Sequence, residues 1–196
     1  MSNTLNDAGW DLLFRNARTF NGWQDRPIPV ETLKALYDLL KWAPTSFNCQ
    51  PGRFVFVQSP EAKERLKPHL LPSNAAKTMK ASACVIVAYD PKFYDYLPQN
   101  FPAYDAKPMF AGNPELADIT AKRNGSLQGG YLILAARSLG LDCGPMSGYN
   151  PATLDAEFFP DGRWKSNFLC NIGYGTDENL FPRGPRFEFD EACQVL

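Results

Sequence analysis

One histidine in 196 residues removes whole classes of chemistry. Zinc sites of the His-rich kind need two or three imidazoles, and a Ser-His-Asp triad needs its one base well placed. His69 follows Pro68 in a stretch rich in Lys and Arg and reads as a partly exposed residue at a helix end. A Cys49–His69 nucleophile pair is the one hydrolase reading left. Cysteine is also sparse: Cys49, Cys84, Cys143, Cys170 and Cys193 are odd in number, widely spaced and never form Cys-x-x-Cys. That argues against a disulfide framework and against zinc, so no metal is expected. Cys84 and Cys170 lie in apolar runs and are expected in the core. The chain has no G-x-x-x-x-G-K-[ST], no G-x-S-x-G and no G-x-G-x-x-G, the signatures of phosphate loops, hydrolase elbows and Rossmann dinucleotide sites. Twenty Lys and Arg against 21 Asp and Glu leave a net charge of −1. The long-range field that attracts nucleic acid or anionic lipid is missing, and neither is expected as a partner. No apolar run approaches the roughly 18 residues of a spanning helix, the longest being pieces such as Ala83 to Tyr89. The start Met1-Ser2-Asn3 lacks a charged-then-apolar leader pattern. A soluble, cytoplasmic protein is expected.

What is present fits one domain over residues 1–196, long enough to bury roughly 70% of the surface of its unfolded chain. No linker, repeat or charge block divides it. Trp10, Leu13, Phe14 and Ala17 have the spacing of one helical face. A second helix, from about Val30 to Trp42, sets Leu33, Leu36, Tyr37 and Leu40 on one stripe, and Pro44 ends it. Phe54–Val57, Cys84–Ala88 and Phe168–Ile172 are β-branched or aromatic runs short enough to be buried strands. The last closes at Gly173-Tyr174-Gly175. A long helix is predicted from Asn113, with Pro114 at its first position, to Leu139, with Gly140 at the C-cap. From Leu127 through Ala136 it has almost no polar face and should be central, with Gly129-Gly130 allowing a close backbone approach. Asn150-Pro151 opens a short helix toward Phe158. Few strands, long helices and irregular connections make an α+β fold.

Aromatic residues are 13% of the chain, and acid–base groups are few. That balance suits a reaction whose hard step is carried by a bound cofactor. Four polar clusters are candidates to hold it: Arg18-Thr19-x-Asn21, Pro44-Thr45-Ser46-x-Asn48-x-Gln50-Pro51, Asn74-x-x-Lys77, and Pro145-Met146-Ser147-Gly148. Taken singly, each also reads as ordinary capping or turn chemistry.

In order and spacing these clusters resemble the FMN-dependent nitroreductases over essentially the whole chain. Arg18-Thr19-Phe20-Asn21-x-Trp23 is similar to the R-S-x-R-x-F element of that family. Pro27-Ile28-Pro29 follows, then the helix ending Trp42-Ala43-Pro44-Thr45-Ser46-x-Asn48-x-Gln50-Pro51, then Asn74-x-x-Lys77. The series continues through Ala135-Ala136-x-x-x-Gly140-Leu141 and Asn171-Ile172-Gly173-Tyr174-Gly175. Arg18 to Trp23, Lys41 to Ser46 and Gly144 to Gly148 most resemble the small reductases assigned to malonic semialdehyde in pyrimidine breakdown.

The resemblance implies a nitroreductase-like fold, a central mixed sheet surrounded by helices, in an intertwined homodimer. Two FMN molecules would lie at the subunit interface, with a C-terminal arm, including Phe187 and Phe189, wrapping the partner. Arg18 and Arg183 would hold the FMN phosphate, and Thr19, Asn21, Asn74 and Lys77 would face the pyrimidine edge of the flavin. Pro44, Thr45, Ser46, Asn48 and Gln50 would belong to the site, with Ser46, Asn48 and Gln50 supplied by the partner chain. Pro145, Met146, Ser147 and Gly148 would lie beside the ring with a backbone N–H aimed at N5, where Lys77 and Gly148 tune the hydride-exchanging atom. Asn21 stands where the wider family often has a cation, and Gly52 where a Trp often follows Gln-Pro. The implied activity is ping-pong oxidation of NADH or NADPH, with malonic semialdehyde reduced to 3-hydroxypropionate. A promiscuous nitro or quinone reductase and a flavin-binding protein without turnover are the alternatives. A semialdehyde acid needs a cation near the flavin, and Arg53 and Arg123 are the candidates.

Overall fold

A computed structural model describes residues 4–196; the start Met1-Ser2-Asn3 lies outside the described residues. The chain forms strands β1 Gly22–Trp23, β2 Gly52–Val57, β3 Ala83–Tyr89, β4 Asp142–Met146, β5 Lys165–Gly173 and β6 Gly175–Thr176. Helices α1 Asp7–Trp10, α2 Val30–Leu40, α3 Pro60–Leu66, α4 Pro72–Lys80, α5 Leu97–Asn100, α6 Lys107–Ala111, α7 Pro114–Ser138, α8 Pro151–Phe158 and α9 Phe189–Ala192 surround them. The main sheet has the order β2-β3-β5-β4 and its strands pair antiparallel. Thr19 adds a parallel bridge to Cys143 at the β4 edge, which makes the sheet mixed.

All seven residues of β3 are buried, because helices cover both faces of the sheet and alternate side chains enter different cores. Val85 and Val87 meet Leu33, Leu36 and Leu40 of α2 and Leu132, Ala135 and Ala136 of α7. Cys84, Ile86 and Ala88 face Leu66, Leu70, Leu154 and Phe159. A third cluster at the end of the sheet gathers Cys49, Tyr89, Phe93, Leu97, Phe110 and Ala117.

The long helix is built as its sequence requires. The Asn113 side chain accepts the Leu116 N–H, Pro114 occupies the first turn, and Gly140 takes a left-handed φ of 73° just past the end. The three predicted strands are present, each slightly longer than its apolar run, and Asn150 caps α8 by accepting the Thr153 N–H. Cys84 and Cys170 are fully buried.

Other expectations need correction. The stretch with Trp10 and Phe14 is one short α-turn followed by a π-type turn over Asp11–Arg15, and it buries none of its residues. α2 ends at Leu40 rather than Trp42, and Tyr37 points outward because the contact with α7 takes only Leu33, Leu36 and Leu40. The second half of α7 is central on one side only: Leu132, Ala135 and Ala136 are buried, whereas Leu127 and Tyr131 are 49% and 38% exposed. Pro145 and Met146, whose cluster taken singly reads as capping or turn chemistry, lie on β4. A proline can sit there because β4 is an edge strand.

Candidate functional site

The segment after α1 is pinned at both ends. Its Phe20 N–H donates to the Cys143 carbonyl at 3.1 Å, and β1 pairs with β6, Gly22 opposite Thr176 and Trp23 opposite Gly175. This fixes Arg18, Thr19 and Asn21 at the open edge of the sheet, facing the chain that leaves β6. The returning segment is bound in reciprocal fashion. Arg18 Nη2 donates to the Phe181 carbonyl, Asn21 Nδ2 to the Asn179 carbonyl at 3.2 Å, and Arg183 Nη2 to the carbonyls of Arg15 and Ala17 at 2.6 and 3.1 Å.

A cleft of about 350 Å³ opens between these segments. Arg18, Lys77, Arg137, Arg183 and Arg186 line it together with Thr19 and Asn21, and no carboxylate does. Five cations without an acid are an anion site by composition. Arg137 and Arg186 carry no motif, and sequence reasoning missed them. Arg137 comes from the last turn of α7, where its Nη1 also donates to the Leu13 carbonyl at 2.9 Å.

The cleft continues along α4 into a second hollow of about 450 Å³ bounded by Asn21, Ser73, Asn74, Lys77 and Phe181. Lys77 Nζ donates to Asn21 Oδ1 at 3.2 Å, and burial holds its pKa below the ordinary lysine range. Asn74, itself buried, donates from Nδ2 to the Gly148 carbonyl at 2.8 Å. A Cβ at 148 would meet that amide, so a larger residue there would displace Asn74 from the carbonyl. Of the neighbouring residues, Pro145 and Ser147 are exposed, while Met146 turns inward and its sulfur accepts from Thr78 Oγ1. Asn74 and Lys77 thus meet Arg18, Thr19, Asn21, Gly148 and Arg183 along one edge of the molecule. A larger cleft, of about 620 Å³, lies beyond α4 among Arg26, Gln58, Lys63 and Ser82 and holds none of the predicted residues.

The turn with Pro44, Thr45, Ser46, Asn48 and Gln50 stands apart from that edge. Its contacts run instead to α7 and to the end of α5. Ser46 N–H donates to Asn124 Oδ1 at 2.9 Å, Asn48 Nδ2 to the Asn100 carbonyl at 2.9 Å, and Gln50 Nε2 to Asn48 Oδ1 at 3.0 Å. None of these partners lines the cationic cleft. Arg53 is committed inside this region. Its Nη1 donates to the Gln50 and Gly52 carbonyls, and its Nη2 pairs at 3.2 Å with Asp90, which is fully buried and also takes Arg163 Nε at 3.0 Å. Arg123, by contrast, is exposed and forms no ion pair among the described residues. It stands beside an apolar groove of about 580 Å³ with Leu127, Gly130, Tyr131 and Leu134.

The hydrolase pair is absent. His69, partly exposed as expected, has its Nδ1 2.9 Å from Thr153 Oγ1. Cys49 is buried in the third core cluster, where desolvation pushes its thiol up to about 11. It is neither ionised nor near a base. Among the described residues no group of His, Cys, Asp and Glu could hold a metal ion, and no helix is long and apolar enough to cross a membrane.

The chain is similar to known proteins over most of its length. The profile of the nitroreductase family matches residues 15–174. A Rhodopseudomonas palustris protein that bears the name NADH dehydrogenase/NAD(P)H nitroreductase is 63% identical over 196 residues, all of both chains. Among solved structures, a Bacillus subtilis nitroreductase superposes with a TM-score of 0.86 at 23% identity, covering 97% of this chain and all of the other. An Exiguobacterium sibiricum nitroreductase in complex with FMN superposes with a TM-score of 0.84 at 22% identity over the whole of both chains. With its five-cation cleft, its α+β frame and a family match over most of its length, the chain belongs to the nitroreductase family.

Proposed function

We propose that the protein is an FMN-dependent NAD(P)H oxidoreductase whose acceptor is a small aldehyde bearing a carboxylate, malonic semialdehyde being the specific candidate. The observation that carries the flavin reading is the cleft itself. Its cationic end, Arg18 and Arg183, suits a phosphate, and its amide end, Asn21, Asn74 and Lys77, suits a pyrimidine edge. The FMN complex of the Exiguobacterium protein and the names of the curated relatives support the same cofactor and NAD(P)H as the donor.

FMN, when bound, supplies hydride exchange at its N5, first with the nicotinamide and then with the acceptor. The chain's own residues bind, orient and tune. Arg18 and Arg183 hold the phosphate end. Lys77 would place a positive charge near the pyrimidine edge, where reduction adds negative charge. Gly148, lacking a side chain, lets Asn74 reach its carbonyl, and no protein nucleophile is needed.

The site is complete only in a cytoplasmic homodimer. Ser46, Asn48 and Gln50 lie off the cleft within one chain and reach a flavin when supplied by a second copy. The bare apolar side chains fit such a partner: Leu127 and Tyr131 on α7, Trp42 at 77% exposure, and Phe181, Phe187 and Phe189 on the terminal arm. For the acceptor, Arg123 is the better carboxylate anchor, since the donors of Arg53 are already engaged. The names of the relatives favour a second reading, reduction of nitro compounds.

The test is the purified protein's visible spectrum and the flavin released on denaturation, followed by steady-state NAD(P)H oxidation with malonic semialdehyde, a quinone and a nitroaromatic. Stoichiometric FMN with fastest turnover of the semialdehyde is expected. A colourless protein refutes the cofactor, and preference for the nitroaromatic refutes the acceptor.

A further inference from the structure

We propose that Asn124 and Gln128 are positioning residues, two buried amides on α7 that hold the 45–52 turn in the shape that presents Ser46, Asn48 and Gln50 to the flavin. This rests on the flavin reading above and adds two residues that lie in no motif. Both are only 4% exposed, and both spend an oxygen on the turn. Asn124 Oδ1 accepts the Ser46 N–H at 2.9 Å, and Gln128 Oε1 accepts the Gly52 N–H at 2.7 Å. Four residues apart, they share one face of the helix and grip the two ends of the turn.

Between those grips the backbone N–H groups of the turn bond locally, while Asn48 Nδ2 donates to the Asn100 carbonyl, Arg53 to the Gln50 carbonyl and the Asp90 N–H to the Pro51 carbonyl. The Asn48 N–H donates to the Thr45 carbonyl, the Cys49 N–H to the Ser46 carbonyl and the Gln50 N–H to Thr45 Oγ1, while Pro51 has no N–H to give. The backbone held this way is unfavourable. Phe47, Asn48 and Gln50 have φ of 52°, 47° and 40°, in the left-handed region that side chains disfavour. Such a conformation persists only where its surroundings over-determine it. A turn released at either end would lose one of the contacts that hold this φ, and the side chains of Asn48 and Gln50 would gain freedom to turn. The Asn124 Nδ2 is itself tied to the Thr120 carbonyl at 2.8 Å, which fixes the face its oxygen offers. A leucine at 124 or 128 would fill the same space and leave an N–H of the turn unpaired, so the amide is required for its oxygen.

The test compares Gln128→Met, which removes the acceptor at similar length, with Gln128→Glu, which keeps an oxygen acceptor, in the FMN-loaded dimer. Gln128→Met is expected to raise the FMN dissociation constant tenfold or more, alter the visible circular dichroism of the flavin and speed amide exchange over 46–52. Gln128→Glu is expected to restore most of each. Asn124→Ser, which draws its acceptor back from Ser46, repeats the test if Gln128→Met does not fold. A variant with a lowered melting midpoint but wild-type flavin affinity and wild-type visible circular dichroism would overturn the proposal, leaving the amides a purely stabilising role. A wild-type protein without flavin would refute the flavin reading itself, and this role with it. An FMN-loaded wild type with an indifferent Gln128→Met refutes this role alone.

Discussion

Gly129 and Gly130 are neighbours on α7 that face opposite surroundings, so the same kind of substitution separates core packing from assembly. A Cβ at Gly129 would lie 2.6 Å from Phe168 Cζ and 3.2 Å from Val87 Cγ1. Overpacking of that order costs about 1–3 kcal/mol, while replacing a helical glycine by alanine returns about 1 kcal/mol. Gly129→Ala should therefore lower stability by up to about 2 kcal/mol and leave assembly unchanged. A Cβ at Gly130 meets nothing within 4 Å, and the residue borders the apolar groove of Leu127, Tyr131 and Leu134. Gly130→Asp should leave an isolated chain as stable as before, because aspartate is no worse than glycine in a helix. In the proposed homodimer the new carboxylate would be buried in this apolar face, where Arg123 is the one cation lining the same groove. At a cost of about 3 kcal/mol or more, the dimer dissociation constant should rise roughly a hundredfold. Sedimentation velocity over a dilution series reads this directly, with FMN content measured on the same samples. A Gly130→Asp protein as dimeric and as yellow as the wild type would refute the assignment of the outer face of α7 to the interface.

Arg18→Ala or Arg183→Ala should weaken FMN retention tenfold or more while shifting the flavin potential little, since a charge-assisted phosphate contact is lost far from the ring; equilibrium dialysis and a potential titration check both halves. Lys77→Met should lower the potential of bound FMN by about 30 mV or more, equivalent to about 1.4 kcal/mol for a two-electron couple, because a half-buried cation near the pyrimidine edge is removed; an unchanged potential with FMN still bound would make Lys77 an ordinary helix lysine. Arg123→Ala should cut turnover of malonic semialdehyde tenfold or more and spare a neutral quinone, and equal losses with both would remove the carboxylate anchor. Burial raises Cys49 to about 11 and Cys84 to about 12, so below the ordinary thiol range both states stay neutral and stability is full. Above about pH 9 only the unfolded chain ionises, and each thiol then removes up to about 1.4 kcal/mol per pH unit until its folded pKa is reached. Urea melts from pH 8 to about 10.5 should show this loss, with a shallower slope in Cys49→Ala; an identical slope would disprove the linkage.

The parts of the fold that announce themselves in the sequence are those where local chemistry and tertiary packing agree. Asn113-Pro114 and Gly140 delimit α7, and the β-branched runs of β2, β3 and β5 allow no helical period. β4 is hidden because Gly144-Pro145 reads as a turn, and only its place at the edge of the sheet makes a strand of it. α4 is hidden because its residues are mostly polar or small, and its lone apolar contact, Ala75, leaves no stripe. Within the site, the clusters bearing Arg18, Asn74 and Lys77 could be found as motifs. Arg137 and Arg186 could not, since each is a single cation brought to the cleft by the ends of distant segments. Asn124 and Gln128 escape for a related reason: an amide in a helix signals nothing until the backbone N–H it accepts is in view.

The cationic cleft also sets an order in time. Residues 15–21 and residues 179–183 bind each other's carbonyls, with Arg18 on one side and Arg183 on the other, so a segment near the start of the chain, already bridged to β4 through Thr19 and Phe20, waits for nearly the last residues before these bonds can form. During synthesis the sheet can pair once β5 has emerged, yet the anion-binding edge cannot form until residue 186 has cleared the ribosome. Completion of the cleft is therefore a late event of folding, and a chain cut before Arg183 would keep its core while lacking the Arg183 and Arg186 cations of the cleft.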